Sequence, residues 1–193
     1  MKLIYLIGIP GTGKSTIMKE FMKHVGEPIW QDGDEWPWKH DRPIDLLDTH
    51  LAGRVRVLGK YSEEETFSGT DRLSMAVAPK AVEWISTKPD EFIIGEGDRL
   101  NNAGFFAAAG DDLTIIHLTV SDAERERRYK QRGSDQSEKF IQTTRTKCKN
   151  ILEKFGDQQT IFGTELGCVV EFPHESPDDT RIIVDYLINS ITC

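Results

Sequence analysis

Residues 8–16 read GIPGTGKST. This fits G-x-x-x-x-G-K-[ST] with Gly8, Gly13, Lys14 and Ser15. The chemistry that spacing suits is the holding of a polyphosphate. Glycines let the N–H groups of a loop running from Gly8 through Gly11, Thr12 and Gly13 to Thr16 curl around phosphate oxygens without side-chain clash. The helix that follows points its positive end at the same anion. Lys14 would then reach the β- and γ-phosphates of ATP, and Ser15 would bind Mg²⁺. A dinucleotide fingerprint is excluded, because G-x-G-x-x-G from Gly11 would need glycine at Thr16.

Four other clusters could complete such a site. FIIGEGDRL (92–100) places Glu96 and Asp98 just past an apolar run. Both compete for the role of the acid near Mg²⁺ water, and both point the same way if the strand persists. Arg99 either pairs with one of them or contacts an acceptor. QDGDEWPWKH (31–40) places Asp32 and Asp34 ahead of Trp36 and Trp38, aromatics suited to stacking on a nucleobase. SGTDR (68–72) offers the hydroxyls of Ser68 and Thr70, with Asp71 positioned to hold Arg72 against an anion. Arg125, Arg128 and Arg132 share one helical face, aimed where transferred charge develops. Each cluster also has a plain structural reading. These are a turn of solvated acids, a loop packed on the core, an N-cap with an ion pair, and a solvated helix with a Glu124–Arg128 pair.

The elements that must position these residues follow from the apolar pattern. KLIYLIG, EPIWQ, EFIIGEG, DLTIIHLTV and GCVVEF read as short strands. RVRVLGKY alternates, as an exposed or edge strand would. KSTIMKEFMKHV has helical spacing of Ile17, Phe21 and Val25 and stops at Gly26. IDLLDTHLAG reads as helix. RLSMAVAPKAVEWIS reads as helix, kinked or divided at Pro79. Ser121 with Glu124 forms a capping box ahead of a helix that closes at Gly133. SEKFIQTTRTKCKNILEKFG and PDDTRIIVDYLINSI complete the helices. Short apolar strands alternating with helices predict an α/β fold, a parallel sheet of about five strands with helices on both faces.

The chain has 193 residues, 38% hydrophobic and 29% charged, which suits one globular domain over 1–193. No apolar run is long enough for a transmembrane helix. The apolar start runs into the glycine loop rather than a cleavage site, so it reads as a strand and not as a signal peptide. Cys148, Cys168 and Cys193 lack metal-ligand spacing and read as reduced thiols of a cytoplasmic protein. The net charge of −8 argues against generic nucleic-acid coating. Residues 121–154 nevertheless carry ten Lys or Arg against six acids, a basic island that suggests a local anion site.

With these motifs assembled, the chain resembles the P-loop kinase group that contains gluconate, shikimate, nucleoside-monophosphate and polynucleotide kinases. The resemblance runs through GIPGTGKST, D-x-D after the second strand, and RERRYKQRG. It implies ATP and Mg²⁺, an acceptor region over about 32–80 and a helical lid over about 121–147. It implies Ser15, Asp32, Glu96 and Asp98 near the metal, and Asp34 orienting the acceptor hydroxyl. Lys14, Arg128 and Arg132 would stabilise the transferring phosphoryl group. Trp36, Trp38, Thr70, Asp71, Arg72 and Arg99 would face the acceptor. His174 and Pro177 lie where such kinases hold adenine. Residues 59–77 with IIGEGDRL are similar to bacteriophage nucleotide kinases, some of which are assigned to 5-hydroxymethyluracil in DNA. That implies a nucleotide or DNA-base acceptor and, for a phage-encoded chain, the host cytoplasm. A deoxynucleoside monophosphate or small-metabolite kinase is the alternative within the class, and an ATP-binding regulatory module the alternative outside it.

Overall fold

The computed structural model describes residues 1–25, 28–29, 46–49, 53–59, 61, 68–88, 91–133, 136–156 and 168–192. In chain order the elements are β1 (Lys2–Ile7), α1 (Lys14–Val25), β2 (Pro28–Ile29), β3 (Leu46–Thr49) and β4 (Gly53–Leu58). A single 3-10 turn follows at Thr70–Arg72. Then come α2 (Val77–Ser86), β5 (Phe92–Glu96), α3 (Ala103–Ala109), β6 (Leu113–Thr119), α4 (Asp122–Arg132), α5 (Glu138–Phe155), β7 (Cys168–Pro173) and α6 (Pro177–Thr192). The strands form one sheet in the order β2-β3-β4-β5-β1-β6-β7. Strands β4, β5, β1, β6 and β7 are mutually parallel, with Leu3 registered between Ile93 and Leu113. The fold is therefore an α/β P-loop fold with five parallel strands.

Strand β1 is apolar on both faces because both are covered. Leu3, Tyr5 and Ile7 join a core with Phe105 and Phe106 of α3, Ala81 and Ile85 of α2, and Cys148 and Ile151 of α5. Ile4 and Leu6 join the opposite core with Ile17 and Phe21 of α1 and Ile183 and Leu187 of α6. Each such side chain taken fully from water contributes roughly 1.5–3 kcal/mol. The parallel strands deliver their carboxyl ends to one edge of the sheet, where ligands of open α/β sheets bind. The loops after β1, β5 and β7 all emerge there.

Three expectations are corrected. The helix expected over 44–53 is not what its described residues form. Leu46–Thr49 is strand β3, paired antiparallel to β4 through Leu47 with Val55. A short segment gains little as an isolated helix, so an available ladder decides its state. Strand β4 is not an edge, because β3 covers one side and β5 the other. Its Val55, Arg56, Val57 and Leu58 are accordingly buried. Pro79 neither kinks nor divides α2. It lies in the first turn, where its missing N–H has no helical acceptor to lose. Helix α3 was not anticipated. It is capped by Asn102, whose side chain accepts from the N–H of Phe105 at 2.8 Å.

Candidate active site

The glycine loop runs from the end of β1 into α1 and is braced from behind. His174, buried after β7, has Nδ1 2.7 Å from the carbonyl oxygen of Thr12 and Nε2 2.7 Å from Oγ1 of Thr180. A carbonyl only accepts, so Nδ1 carries the proton and Nε2 accepts from Thr180. Burial, aided by the nearby Arg128, lowers the pKa of His174 and favours this neutral ring. The ring sits directly against Gly13, whose φ is 86°. A Cβ there would collide with the imidazole, so glycine is required on both conformational and steric grounds.

A second brace comes from α4. Arg128 donates to the carbonyl of Gly11 at 3.0 Å, to the carbonyl of His174 at 2.7 Å and to Glu124 at 2.8 Å. Tyr129 donates to the carbonyl of Pro10 at 2.8 Å. Helix α4 is fixed as expected at its ends: the Ser121 side chain accepts from the N–H of Glu124, and Gly133 adopts the left-handed conformation. The reciprocal half of the capping box is absent. Glu175 takes Ser121, while Glu124 turns to Arg127 and Arg128, whose hydrogen bonds hold its carboxyl down at about 2.

The three arginines read as one face have separate fates. Arg125 is buried beside Asp122 at 2.8 Å. Arg128 is committed to the loop. Arg132 is exposed and borders a small cavity of 100 Å³ with Lys14, Ser15, Asp71 and Glu96. Lys14 donates to the carbonyls of Gly8 and Ile9 at 2.8 and 3.2 Å. A larger cavity of 910 Å³ opens on the other side of Arg132, between Gly13, Thr16, Arg128, His174 and Pro177.

Glu96 and Asp98, equivalent in the sequence, are separated by the fold. Strand β5 ends at Glu96, and Gly97 turns the chain with φ 109°, so the two carboxylates diverge. Glu96 is buried and accepts from Oγ of Ser15 at 2.9 Å. Burial raises its pKa to about 7, a rise aided by Asp71 and opposed by Lys14 and Ser15. Tyr61 lies beside it without meeting hydrogen-bond geometry. Asp98 instead receives Lys147 of α5 at 2.8 Å, and its N–H donates to Asp71 at 2.6 Å. A buried carboxylate bonded to a hydroxyl offers hard oxygen donors suited to Mg²⁺, which takes few protein ligands and keeps phosphates and water for the rest. Ser15 and Glu96 fit that ion. Among the described residues no group of three or more His, Cys, Asp or Glu is gathered as a metal cluster.

The SGTDR segment folds over the end of β5. Thr70 is buried and shares a hydrogen bond of 3.0 Å with the hydroxyl of Tyr5, which also donates to the carbonyl of Gly97 at 2.8 Å. Thr70 therefore supports the turn from beneath. Asp71 borders both the 100 Å³ cavity and a neighbouring cavity of 320 Å³ that Lys14, Asp98 and Arg99 also line. Arg72 is exposed and borders neither. Asp32, Asp34, Trp36 and Trp38 lie outside the described residues. Sequence reasoning missed Tyr5, Lys147 as a partner of Asp98, and the bracing role of His174. An apolar strand hides the first; Lys147 stood out only as a phosphate candidate, and His174 only as a candidate on the adenine side.

The model of the family described as P-loop Nucleotide Kinase3 matches residues 1–188. No curated protein matches the chain in sequence. Among solved structures it is similar to a gluconokinase from Sinorhizobium meliloti, at 12% identity over 98% of this chain and 91% of that one, with a TM-score of 0.47. A sugar kinase from Janibacter sp. gives 12% identity, 99% and 94% coverage, and a TM-score of 0.46. An uncharacterized protein from Eubacterium ventriosum gives 13% identity, 98% and 97% coverage, and a TM-score of 0.40. Among the described residues no helix is long and apolar enough to cross a membrane.

Proposed function

Because the chain belongs to the P-loop Nucleotide Kinase3 family, we propose that it transfers the γ-phosphate of ATP to a nucleotide-type acceptor. One observation carries this reading: Lys14, Ser15, Glu96 and Arg132 surround a single small cavity at the mouth of the glycine loop. That is the donor set a transferring phosphoryl group needs, two cations and a metal corner around one anion. The larger cavity past Arg128 and His174 suits the nucleoside of ATP. The cavity on the side of Asp71, Asp98 and Arg99 suits the acceptor.

In this scheme the loop N–H groups and Lys14 bind the phosphates, and the loop braces keep them in place before substrate arrives. Ser15 and Glu96 would hold Mg²⁺, whose chemistry there would be charge neutralisation of the phosphates. Arg132 faces the charge that develops on the moving group. Asp34, assigned from sequence, orients the acceptor hydroxyl. The specific acceptor suggested by the resemblance is the base hydroxymethyl group of 5-hydroxymethyluracil in DNA. A free deoxynucleoside monophosphate or small metabolite is the second reading, and the modest 320 Å³ of the acceptor cavity favours it.

The test is product analysis with γ-labelled ATP and a panel of hydroxymethyluracil-containing DNA, free nucleosides, deoxynucleoside monophosphates and sugars. Label in a nucleotide or DNA product supports the reading. Label found only as free phosphate with every acceptor refutes it and leaves an ATP-binding regulatory module. Transfer to free monophosphates alone sinks the DNA acceptor.

A further inference from the structure

Tyr61, the third residue past β4, has a buried hydroxyl that completes no hydrogen bond among the described residues. The carboxyl of Glu96 stands beside that hydroxyl. Burial raises the pKa of Tyr61, and of the nearby charges Glu96 adds most to the rise. The backbone brings the two side chains together. Gly59, at φ 98°, passes so close to Gly69 that a Cβ on it would collide with the Gly69 carbonyl. Gly69 in turn lies so close to Glu96 that a Cβ there would collide with Oε1. The exit of β4 and the SGTDR segment therefore close together over the carboxyl, which Ser15 meets from α1 at 2.9 Å. The ring of Tyr61 packs on the core that holds Ile4 and Leu6. Packing accounts for a ring at this place. It does not account for a hydroxyl, which is costly to bury unmatched and is rarely kept so in native structures.

A carboxylate that holds a metal is itself hydrogen-bonded from behind, and loss of that support costs about 10- to 100-fold in metal affinity. In the described structure Ser15 donates to Glu96. With Ser15 turned to Mg²⁺, Glu96 loses this donor, and the unmatched hydroxyl of Tyr61 stands beside it to serve instead. We infer that Tyr61 is a positioning residue of the metal site, donating to Glu96 and holding its carboxylate toward the ion. This role rests on Ser15 and Glu96 as the metal's residues in the kinase reading above, and on no choice of acceptor.

The experiment is calorimetric titration of the full chain with a non-hydrolysable ATP analogue, once with Mg²⁺ and once with a chelator. It compares wild type, Tyr61→Phe, Glu96→Gln and the double variant, with circular dichroism to establish that each is folded. Mg²⁺ tightens the analogue on wild type. Tyr61→Phe cuts that tightening by about tenfold and leaves the affinity in chelator within about twofold. In the Glu96→Gln background, Tyr61→Phe has no further effect on the Mg²⁺ dependence. Urea unfolding in chelator finds Tyr61→Phe at least as stable as wild type, because the hydroxyl it removes has no partner there. A tyrosine needed only for the fold would give the opposite pattern, lower stability with the Mg²⁺ effect unchanged. The proposed role is overturned if Mg²⁺ does not tighten the analogue on wild type, or if folded Tyr61→Phe keeps the full Mg²⁺ effect. It is also overturned if the loss is as large in Glu96→Gln, or if the metal-free urea midpoint of Tyr61→Phe falls below that of wild type. Label transfer with an Mg²⁺ dependence indifferent to Tyr61 keeps the kinase and removes this role. A Tyr61-dependent Mg²⁺ effect without label transfer to any acceptor keeps the role and removes the kinase.

Discussion

Oγ of Ser15 lies 2.9 Å from Oε1 of Glu96, joining the first turn of α1 to the last residue of β5 across 81 residues of sequence. This contact selects Glu96 over Asp98 as the carboxylate beside the loop. It also places an acid where burial opposes its charge.

The metal-free protein should therefore lose stability as pH rises. Burial lifts the Glu96 pKa from 4.5 to about 7, so the folded chain holds the proton more tightly than the unfolded one. The contribution is fully present below pH 4.5 and is lost as pH rises through about 7, on the order of 3 kcal/mol. Glu96→Gln, neutral throughout, should be more stable than wild type by that order at pH 8 and by little at pH 4.5. Urea unfolding with a chelator present measures the difference. A gain that does not vary with pH would refute the assignment. The same variant should lose kcat by at least about 100-fold.

His174→Ala should loosen the glycine loop. It removes the bonds to Thr12 and Thr180 and leaves a hole under Gly13. The expected cost is about 2–3 kcal/mol in denaturant unfolding, with a rise of about tenfold in KM for ATP. Because the pKa of His174 is lowered, its contribution is present above the unfolded value and is lost as pH falls through the folded one. The variant should lack that acid-side loss. Wild-type ATP affinity in His174→Ala would show that the brace is irrelevant to binding.

Arg128 and Arg132 should separate kinetically. Arg132→Ala is expected to lower kcat by about 10²–10³ with a smaller rise in KM for ATP, since it borders both the 100 Å³ cavity and the larger one. Arg128→Ala should raise KM for ATP and lower stability, because it leaves the carbonyls of Gly11 and His174 without their donor. Steady-state kinetics on both variants decides. Equal effects on kcat and KM in the two would contradict the division.

Lys147→Met should leave stability within about 1 kcal/mol of wild type, because both partners of its ion pair with Asp98 are about a third exposed. Its effect should fall on KM for the acceptor, as Asp98 lines the 320 Å³ cavity. A loss of several kcal/mol in thermal or urea unfolding would instead make the pair a structural element.

Local order was readable wherever a segment carries its own instructions. Strand β1, the glycine loop and α1 were legible because an apolar run, φ-permissive glycines and a helical stripe occur in succession. Helices α4 and α5 were legible from Ser121 with Gly133 and from an apolar stripe through Ile141, Cys148 and Ile151. Strand β3 was not, since Leu46–Thr49 takes its state from pairing with β4. The common face of Arg125, Arg128 and Arg132 was a correct statement about a helix. It did not foretell that α4 packs against the loop so closely that, of the three, Arg132 alone borders the 100 Å³ cavity.

By itself the sequence determined the phosphate-binding loop, the alternation of strands and helices, and the set of acids and arginines available for chemistry. These depend on spacing within one element, where the backbone repeat dictates direction. Only the tertiary structure decided which carboxylate meets Ser15, that His174 seats Gly13, that Lys147 claims Asp98, and that Tyr61 stands beside Glu96. Those relations join residues far apart in the chain. They exist only once the parallel sheet brings the ends of β1, β5 and β7 to one edge and the packing of α4 and α5 closes over it.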